Sequence, residues 1–320
     1  MLPRCSSVLD AIGNTPLVEL RRVVPPKCAR IFVKVEGANP TGSMKDRMAQ
    51  AMISAAERDG RLGPGDTVVE YTGGSTGASL ALICIAKGYR LHLFSSDAFS
   101  DAKLVQMAAF GAELTIIKSE DGRINKRLIQ DMIAAAKDAS RQPGTYWTDQ
   151  LNNADMIPGY YPMGQEIWDQ TEGRVDAFVQ AVGTSASLQG VATVLRRNNP
   201  DVRIIAVEPG ESAVLSGGPT GAHKIDGIGI GYIPPLWNPK IVDEIIPVPT
   251  ADANAMALRL CEEEGLFAGT SSGANVIAAI RVGQRLGSDA TVTTLLVDSG
   301  LKYLATYGKM LAPRIWRHSA

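Results

Sequence analysis

Ile31-Phe-Val-Lys-Val-Glu36, followed by Asn39-Pro-Thr-Gly-Ser-Met-Lys-Asp-Arg47, is a short apolar run, a turn and the start of a helix. An apolar strand that opens into a helix through a tight turn is the building unit of parallel α/β sheets. Pro40 and Gly42 mark the turn, and Ser43 can cap the helical stretch Ser43–Asp59. Lys45 then falls in the first helical turn, where the positive end of the helix dipole disfavours a cation. The same field lowers an amine pKa, which suits a lysine that forms a Schiff base. Taken alone, a surface lysine paired with an acid is the plainer reading.

The pattern repeats outward from that unit. Strand-like runs are Ile31–Glu36, Thr67–Tyr71, Leu91–Ser95, Glu113–Lys118, Ala177–Val182, Arg203–Glu208 and Thr291–Val297. Helix-like stretches lie between them: Ala78–Lys87, Lys103–Phe110, Asn125–Ala139, Leu188–Arg197, Asn254–Glu264 and Ala274–Arg285. Strands that do not alternate with polar residues are expected to be buried on both faces. The expected fold is α/β with two domains, each an open, mostly parallel twisted sheet flanked by helices. Ala139-Ser-Arg-Gln-Pro-Gly144 reads as a connection. The glycine-dense stretch Gly217–Tyr232 reads either as a surface loop or as backbone that approaches a ligand.

Three more loops join a strand to a helix. Glu70-Tyr-Thr-Gly-Gly-Ser-Thr-Gly77 offers backbone N–H groups and hydroxyls at a helix start, an anion site suited to a carboxylate. Gly183-Thr-Ser-Ala-Ser187 reads either as the same kind of site for a dianionic phosphate or as a capped helix start. It matches neither a nucleotide P-loop nor the dinucleotide glycine pattern. Gly269-Thr-Ser-Ser-Gly273 opens another helix, and Ser271 there is either a helix cap or a partner for a ligand nitrogen. Serine is too weak an acid to protonate a pyridine, and an unprotonated ring is a weaker electron sink. Chemistry at Cβ is then favoured over transamination.

Bulk properties exclude several classes. The 320 residues are 45% hydrophobic and 20% charged, with a net charge of −1, which gives no basic footprint for nucleic acid. No apolar run approaches the roughly 18–20 residues of a membrane span. Met1-Leu-Pro-Arg-Cys-Ser lacks a secretion pattern, so the expected location is the cytoplasm. Cys5, Cys28, Cys84 and Cys261 show no metal-ligand or redox spacing, and no metal is expected. Of the three histidines, His92 sits in an apolar strand-like run and His318 in the tail, which leaves His223 alone in a loop, so a catalytic triad or histidine-metal site is not expected.

Together the four loops resemble the cysteine synthase (O-acetylserine sulfhydrylase) family of pyridoxal-phosphate (PLP) enzymes, of the tryptophan-synthase-β fold type. The resemblance runs from Ile12-Gly-Asn-Thr-Pro-Leu-Val18 to Val297-Asp-Ser-Gly-Leu-Lys-Tyr-Leu304, with Gly164–Trp168, Val207–Pro209 and Lys224–Gly229 between. It implies PLP in the cleft between two domains, 1–12 with 38–149 and 13–37 with 150–320. By the same resemblance Lys45 carries the cofactor and later moves the Cα proton. Gly183, Thr184, Ser185, Ala186 and Ser187 hold its phosphate, and Ser271 faces its ring nitrogen. Thr72, Gly73, Gly74, Ser75 and Thr76, with Gln150, hold the substrate carboxylate, and Gly227 lines a closing entrance. The partners implied are an amino-acid substrate, a thiol or sulfide nucleophile and a second copy in a homodimer.

Departures from the family pattern cluster at the site. Thr72-Gly-Gly-Ser-Thr-Gly77 stands where cysteine synthases read Thr-Ser-Gly-Asn-Thr-Gly, so Ser75 replaces an asparagine that supports the cofactor's ring oxygen. Gly73 replaces a serine. Ser185 and Ala186 replace two glycines, and Thr41 stands where a glycine is usual. The lost volume at 73 and 75 predicts more room around the substrate and wider acceptance of bulky nucleophiles. The expected reaction is β-replacement on O-acetylserine or a related activated serine. The alternatives are a β-eliminating lyase, of cysteine desulfhydrase or serine dehydratase type, and a catalytically retired paralogue that binds a partner. The presence of Lys45 argues against the last.

Overall fold

The computed structural model describes residues 5–120, 122 and 126–315; Asn125 and His318 lie outside them. The described residues form ten strands: β1 (Leu17–Leu20), β2 (Arg30–Val35), β3 (Thr67–Tyr71), β4 (Arg90–Ser96), β5 (Glu113–Ile117), β6 (Thr145–Trp147), β7 (Ala177–Ala181), β8 (Arg203–Pro209), β9 (Glu244–Val248) and β10 (Thr291–Leu296). The first helices are α1 (Lys45–Arg58), α2 (Ser75–Lys87), α3 (Asp101–Ala109) and α4 (Lys126–Ala139). Then come α5 (Met156–Gly159), α6 (Tyr161–Gln170), α7 (Ala186–Asn198), α8 (Thr250–Glu264), α9 (Thr270–Leu286) and α10 (Leu304–Ile315).

The strands make two sheets. The larger has the order β1-β2-β10-β7-β8-β9 and the smaller β5-β4-β3-β6. Every pairing is parallel except β1 with β2, whose antiparallel register sets Leu17 opposite Lys34. Three strands lie beyond the sequence reading. β1 and β6 are short, and β9 contains Pro247, which cannot donate to a ladder and so sits at a sheet edge. The 139–144 segment is the turn from α4 into β6.

The central strands β7 and β10 are buried along their whole length. One apolar cluster runs from Met48, Met52, Leu80 and Ile83 of α1 and α2 through Tyr160 and Met163 to Phe178, Leu188 and Leu195. It therefore packs helices that follow strands of both sheets into one core. A second cluster covers the opposite face of the large sheet with Ile31, Val33, Val179, Ile205, Val276 and Val282. Two covered faces explain why these strands read as continuous apolar runs. No helix among the described residues is long and apolar enough to cross a membrane.

Candidate active site

The turn that leads into α1 is fastened on both sides of Lys45. Ser43 pairs with Asp298, and the Met44 N–H donates to the Val297 carbonyl at 3.0 Å. Met44, not Ser43, occupies the N-cap position, although Ser43 Oγ accepts the Lys45 N–H at 3.3 Å. Asp46, fully buried, accepts the Thr41 N–H, the Thr41 hydroxyl at 2.5 Å and the Ser79 hydroxyl at 2.6 Å. Thr41, the residue in place of a family glycine, thus locks the loop to α1 and α2. Arg47 donates to Glu36 at 2.7 and 2.8 Å and to both oxygens of Glu166 at 2.8 Å. Burial alone would raise the Glu166 pKa, but Arg47 and Lys34 hold it down to about 2.

Lys45 itself keeps partial access to solvent while its amine is desolvated by the surrounding protein. Burial pulls that amine down to about 8, and the Asp298 carboxylate opposes the shift. Desolvation is therefore the leading cause, ahead of the helix-dipole field anticipated from the sequence. An amine poised near neutrality can serve as both nucleophile and proton carrier.

In the second loop, Thr72 Oγ1 accepts the Gly74 N–H at 3.1 Å, and Ser75 opens α2. Thr76 donates its hydroxyl to Gln150 Oε1 at 2.8 Å, and Gln150 Nε2 donates to the Tyr71 carbonyl at 2.9 Å. Gln150 thus lies against the 72–76 loop. Glu70 arranges this: it accepts the Thr148 hydroxyl at 2.7 Å and the Gln150 N–H at 2.9 Å, and burial lifts its carboxyl to about 7. The expected spare volume at Gly73 is absent. A Cβ built there would lie 2.1 Å from Cε1 of Phe99, whose ring fills the space. Lys103 lies along Gly74 in the same way, its Cδ 3.1 Å from a built Cβ.

The third loop is tight. A Cβ on Gly183 would meet the Gly227 carbonyl oxygen at 2.5 Å, and the Gly229 N–H donates to the Val182 carbonyl at 3.1 Å. The 224–229 segment, with Gly227, is thereby seated against the 183–187 loop. Lys103 reaches the same segment through an ion pair with Asp226 at 3.0 Å. Ser185 stands at the N-cap of α7 with φ +75°, a left-handed conformation costly for a residue other than glycine. Its Oγ accepts from Gln189 at 3.3 Å. Thr184, Ser185, Ala186 and Ser187 are all buried or nearly so.

In the fourth loop Gly269 is the N-cap of α9 and no side chain caps it, so Ser271 is not a cap. Ser272 accepts the Val297 N–H at 3.0 Å, leaving Ser271 buried in the first turn. Asp298 ties three loops together. Its carbonyl accepts the Gly269 N–H at 3.2 Å, its carboxylate accepts the Tyr303 hydroxyl at 2.6 Å, and Ser75 Oγ lies 3.4 Å from Oδ2. Oδ1 is buried without a hydrogen-bond partner. Burial raises the Asp298 pKa, with Tyr303, Lys103 and Lys302 opposing. In the sequence Asp298 stands out only as a member of the Val297–Leu304 stretch. An acid at the carboxyl end of a central parallel strand, where α/β sheets place their sites, was the available signal.

Lys45, its amine lowered by burial, sits in a turn tied to the exit of β10, and the loops at 72–76, 183–187 and 269–273 each open a helix, an arrangement suited to an enzyme that links a carbonyl cofactor to lysine. The chain belongs to the pyridoxal-phosphate dependent enzyme family, which it matches over residues 8–298. A cysteine synthase of Staphylococcus aureus is 41% identical over 302 residues, 94% of this chain and 96% of that one. A crystal structure of cysteine synthase from Entamoeba histolytica superposes with a TM-score of 0.90 at 35% identity, covering 95% of this chain and 90% of the other. A hydrogen sulfide-producing enzyme from Fusobacterium nucleatum superposes with a TM-score of 0.86 at 32% identity, covering 94% and 98%. The residues present fit the cofactor: the Lys45 amine is held near neutrality, and the helix starts at 183–187 and 269–273 carry small, hydroxyl-rich loops.

Proposed function

We propose that the chain catalyses PLP-dependent β-replacement on O-acetylserine or a related activated serine, adding sulfide or a thiol to give cysteine or a β-substituted alanine. The observation that carries this reading is Lys45, fastened on both sides in the first turn of α1 with its amine lowered to about 8. PLP, when bound, supplies an electron-withdrawing system that stabilises negative charge at the substrate Cα. Lys45 holds the cofactor and carries the proton to and from Cα. Ser187 and the N–H groups of 183–187 take the phosphate, and Ser271 meets the ring nitrogen. Ser75, shorter than the asparagine it replaces, would be the group available to the ring oxygen, and its Oγ lies 3.4 Å from Asp298 Oδ2. Thr72, Gly73, Gly74, Ser75 and Thr76, with Gln150, orient the substrate carboxylate, and Gly227 lines the entrance.

In the same reading the chain works in the cytoplasm as a homodimer. Its two parts are 1–12 with 38–149 and 13–37 with 150–320; the placement of β1 and β2 in the large sheet and β6 in the small one supports that division. The likeness to a hydrogen sulfide-producing enzyme favours a second reading, β-elimination with release of pyruvate and ammonia. Product analysis after mixing with O-acetylserine and sulfide separates them. Cysteine that disappears in Lys45→Ala supports replacement; pyruvate with no cysteine overturns it.

A further inference from the structure

Gln180 is the fourth residue of β7, a strand buried along its whole length at the centre of the large sheet. A primary amide at that place is costly unless its groups are used. Its Nε2 donates to Ser187 Oγ, while its Oε1 is buried with no hydrogen-bond partner. As placed, the amide leaves Oε1 and its second N–H without a partner, whereas the reversed amide would leave both N–H groups; buried orphan N–H groups are rarer than under-satisfied carbonyl oxygens, which favours the donating arrangement. A serine oxygen that receives an N–H still has its own proton to give. No described residue accepts it, and Ser187 lies in the first turn of α7.

We propose that Gln180 is a positioning residue for the PLP phosphate: by donating to Ser187 Oγ it turns the hydroxyl proton toward the anion. This rests on the assignment of residues 183–187 to the phosphate. The donor chain from amide to hydroxyl to phosphate runs in one direction, and each bond polarises the next. Serine at 187 and glutamine at 180 therefore act as a unit. Ser185 and Ala186, both in place of glycines, contribute their backbone N–H groups at the same helix start.

The test is the PLP dissociation constant of the holoenzyme, measured by dialysis against graded free PLP, for wild type, Ser187→Ala, Gln180→Leu and the double variant. Ser187→Ala should raise the constant on the order of ten- to a hundredfold, and Gln180→Leu on the order of tenfold. The double variant should bind no more weakly than Ser187→Ala alone, because the amide acts through the hydroxyl. Independent, multiplying losses would overturn the positioning role, as would an unchanged constant in Gln180→Leu beside a weakened Ser187→Ala. An unchanged constant in Ser187→Ala would instead remove the phosphate from this loop altogether. Gln180→Glu keeps the shape and can only accept from Ser187 when ionised. It should weaken binding at least as much as Gln180→Leu, and it decides the matter if the leucine variant does not fold; wild-type affinity with glutamate overturns the proposal.

Discussion

The ring of Phe99 occupies the space that a side chain at position 73 needs: a Cβ on Gly73 would lie 2.1 Å from Cε1 and 2.4 Å from Cδ1 of that ring. Glycine and phenylalanine are thus one fitted pair, and the substrate loop is not loosened by the loss of a serine. Gly73→Ser should destabilise the protein by about 1–3 kcal/mol through overpacking and raise KM for the amino-acid substrate. Phe99→Ala added to Gly73→Ser should recover part of both losses, since contacting residues couple. Thermal unfolding and steady-state kinetics check this; full additivity of the two changes would mean that the ring moves aside freely.

The Lys45 amine gives a pH prediction with a definite sign. Burial favours the neutral form, so neutral amine accumulates as pH rises through about 8 instead of the ordinary lysine range. Acylation of Lys45 in cofactor-stripped protein, followed by peptide mapping, should rise along that curve. Asp298 favours the ammonium, so Asp298→Asn should move the midpoint to lower pH. A midpoint that stays or rises would show that the carboxylate does not act on the amine.

Arg47 is buried with Glu36 and Glu166 against it. Removing the guanidinium in Arg47→Met leaves two carboxylates without their main partner, which costs about 3–5 kcal/mol for a broken buried pair. Denaturant unfolding should show that loss. The turn bearing Lys45 is held by the same side chain, so PLP retention should fall as well.

Gln150 joins Thr76 to the carbonyl of Tyr71. Gln150→Ala should raise KM for the amino acid on the order of tenfold, equivalent to a lost bond of about 1.5 kcal/mol to a charged group, with a smaller change in kcat. Equal loss in kcat alone would place Gln150 away from substrate binding.

Much of this arrangement was legible because parallel strands and helix starts leave local marks. The runs around Thr67–Tyr71 and Ala177–Ala181 are apolar because both faces are covered, and each ends in a glycine-rich loop that opens a helix. Lys45, Ser75 and Ser187 are visible for the same reason. What was missed depends on contacts between distant segments. Phe99 reads as an ordinary loop residue until α2 and α3 are packed together, and nothing near Gly73 announces it. Gln180 looks like a polar interruption of a strand until Ser187 is placed beside it. Asp298 gains its importance from Ser43, Ser75 and Gly269, which no spacing rule brings together. Strand β9 escaped notice because Pro247 is a breaker everywhere except at a sheet edge.

The turn that carries Lys45 hangs on the exit of β10 through the Met44–Val297 hydrogen bond and the Ser43–Asp298 pairing. During synthesis the ribosome therefore releases the reactive lysine long before the segment that seats it. β2 likewise waits for β10 as its parallel neighbour. Contacts this remote in sequence slow folding, and a nascent chain halted before β10 has an early half with no seat for its lysine.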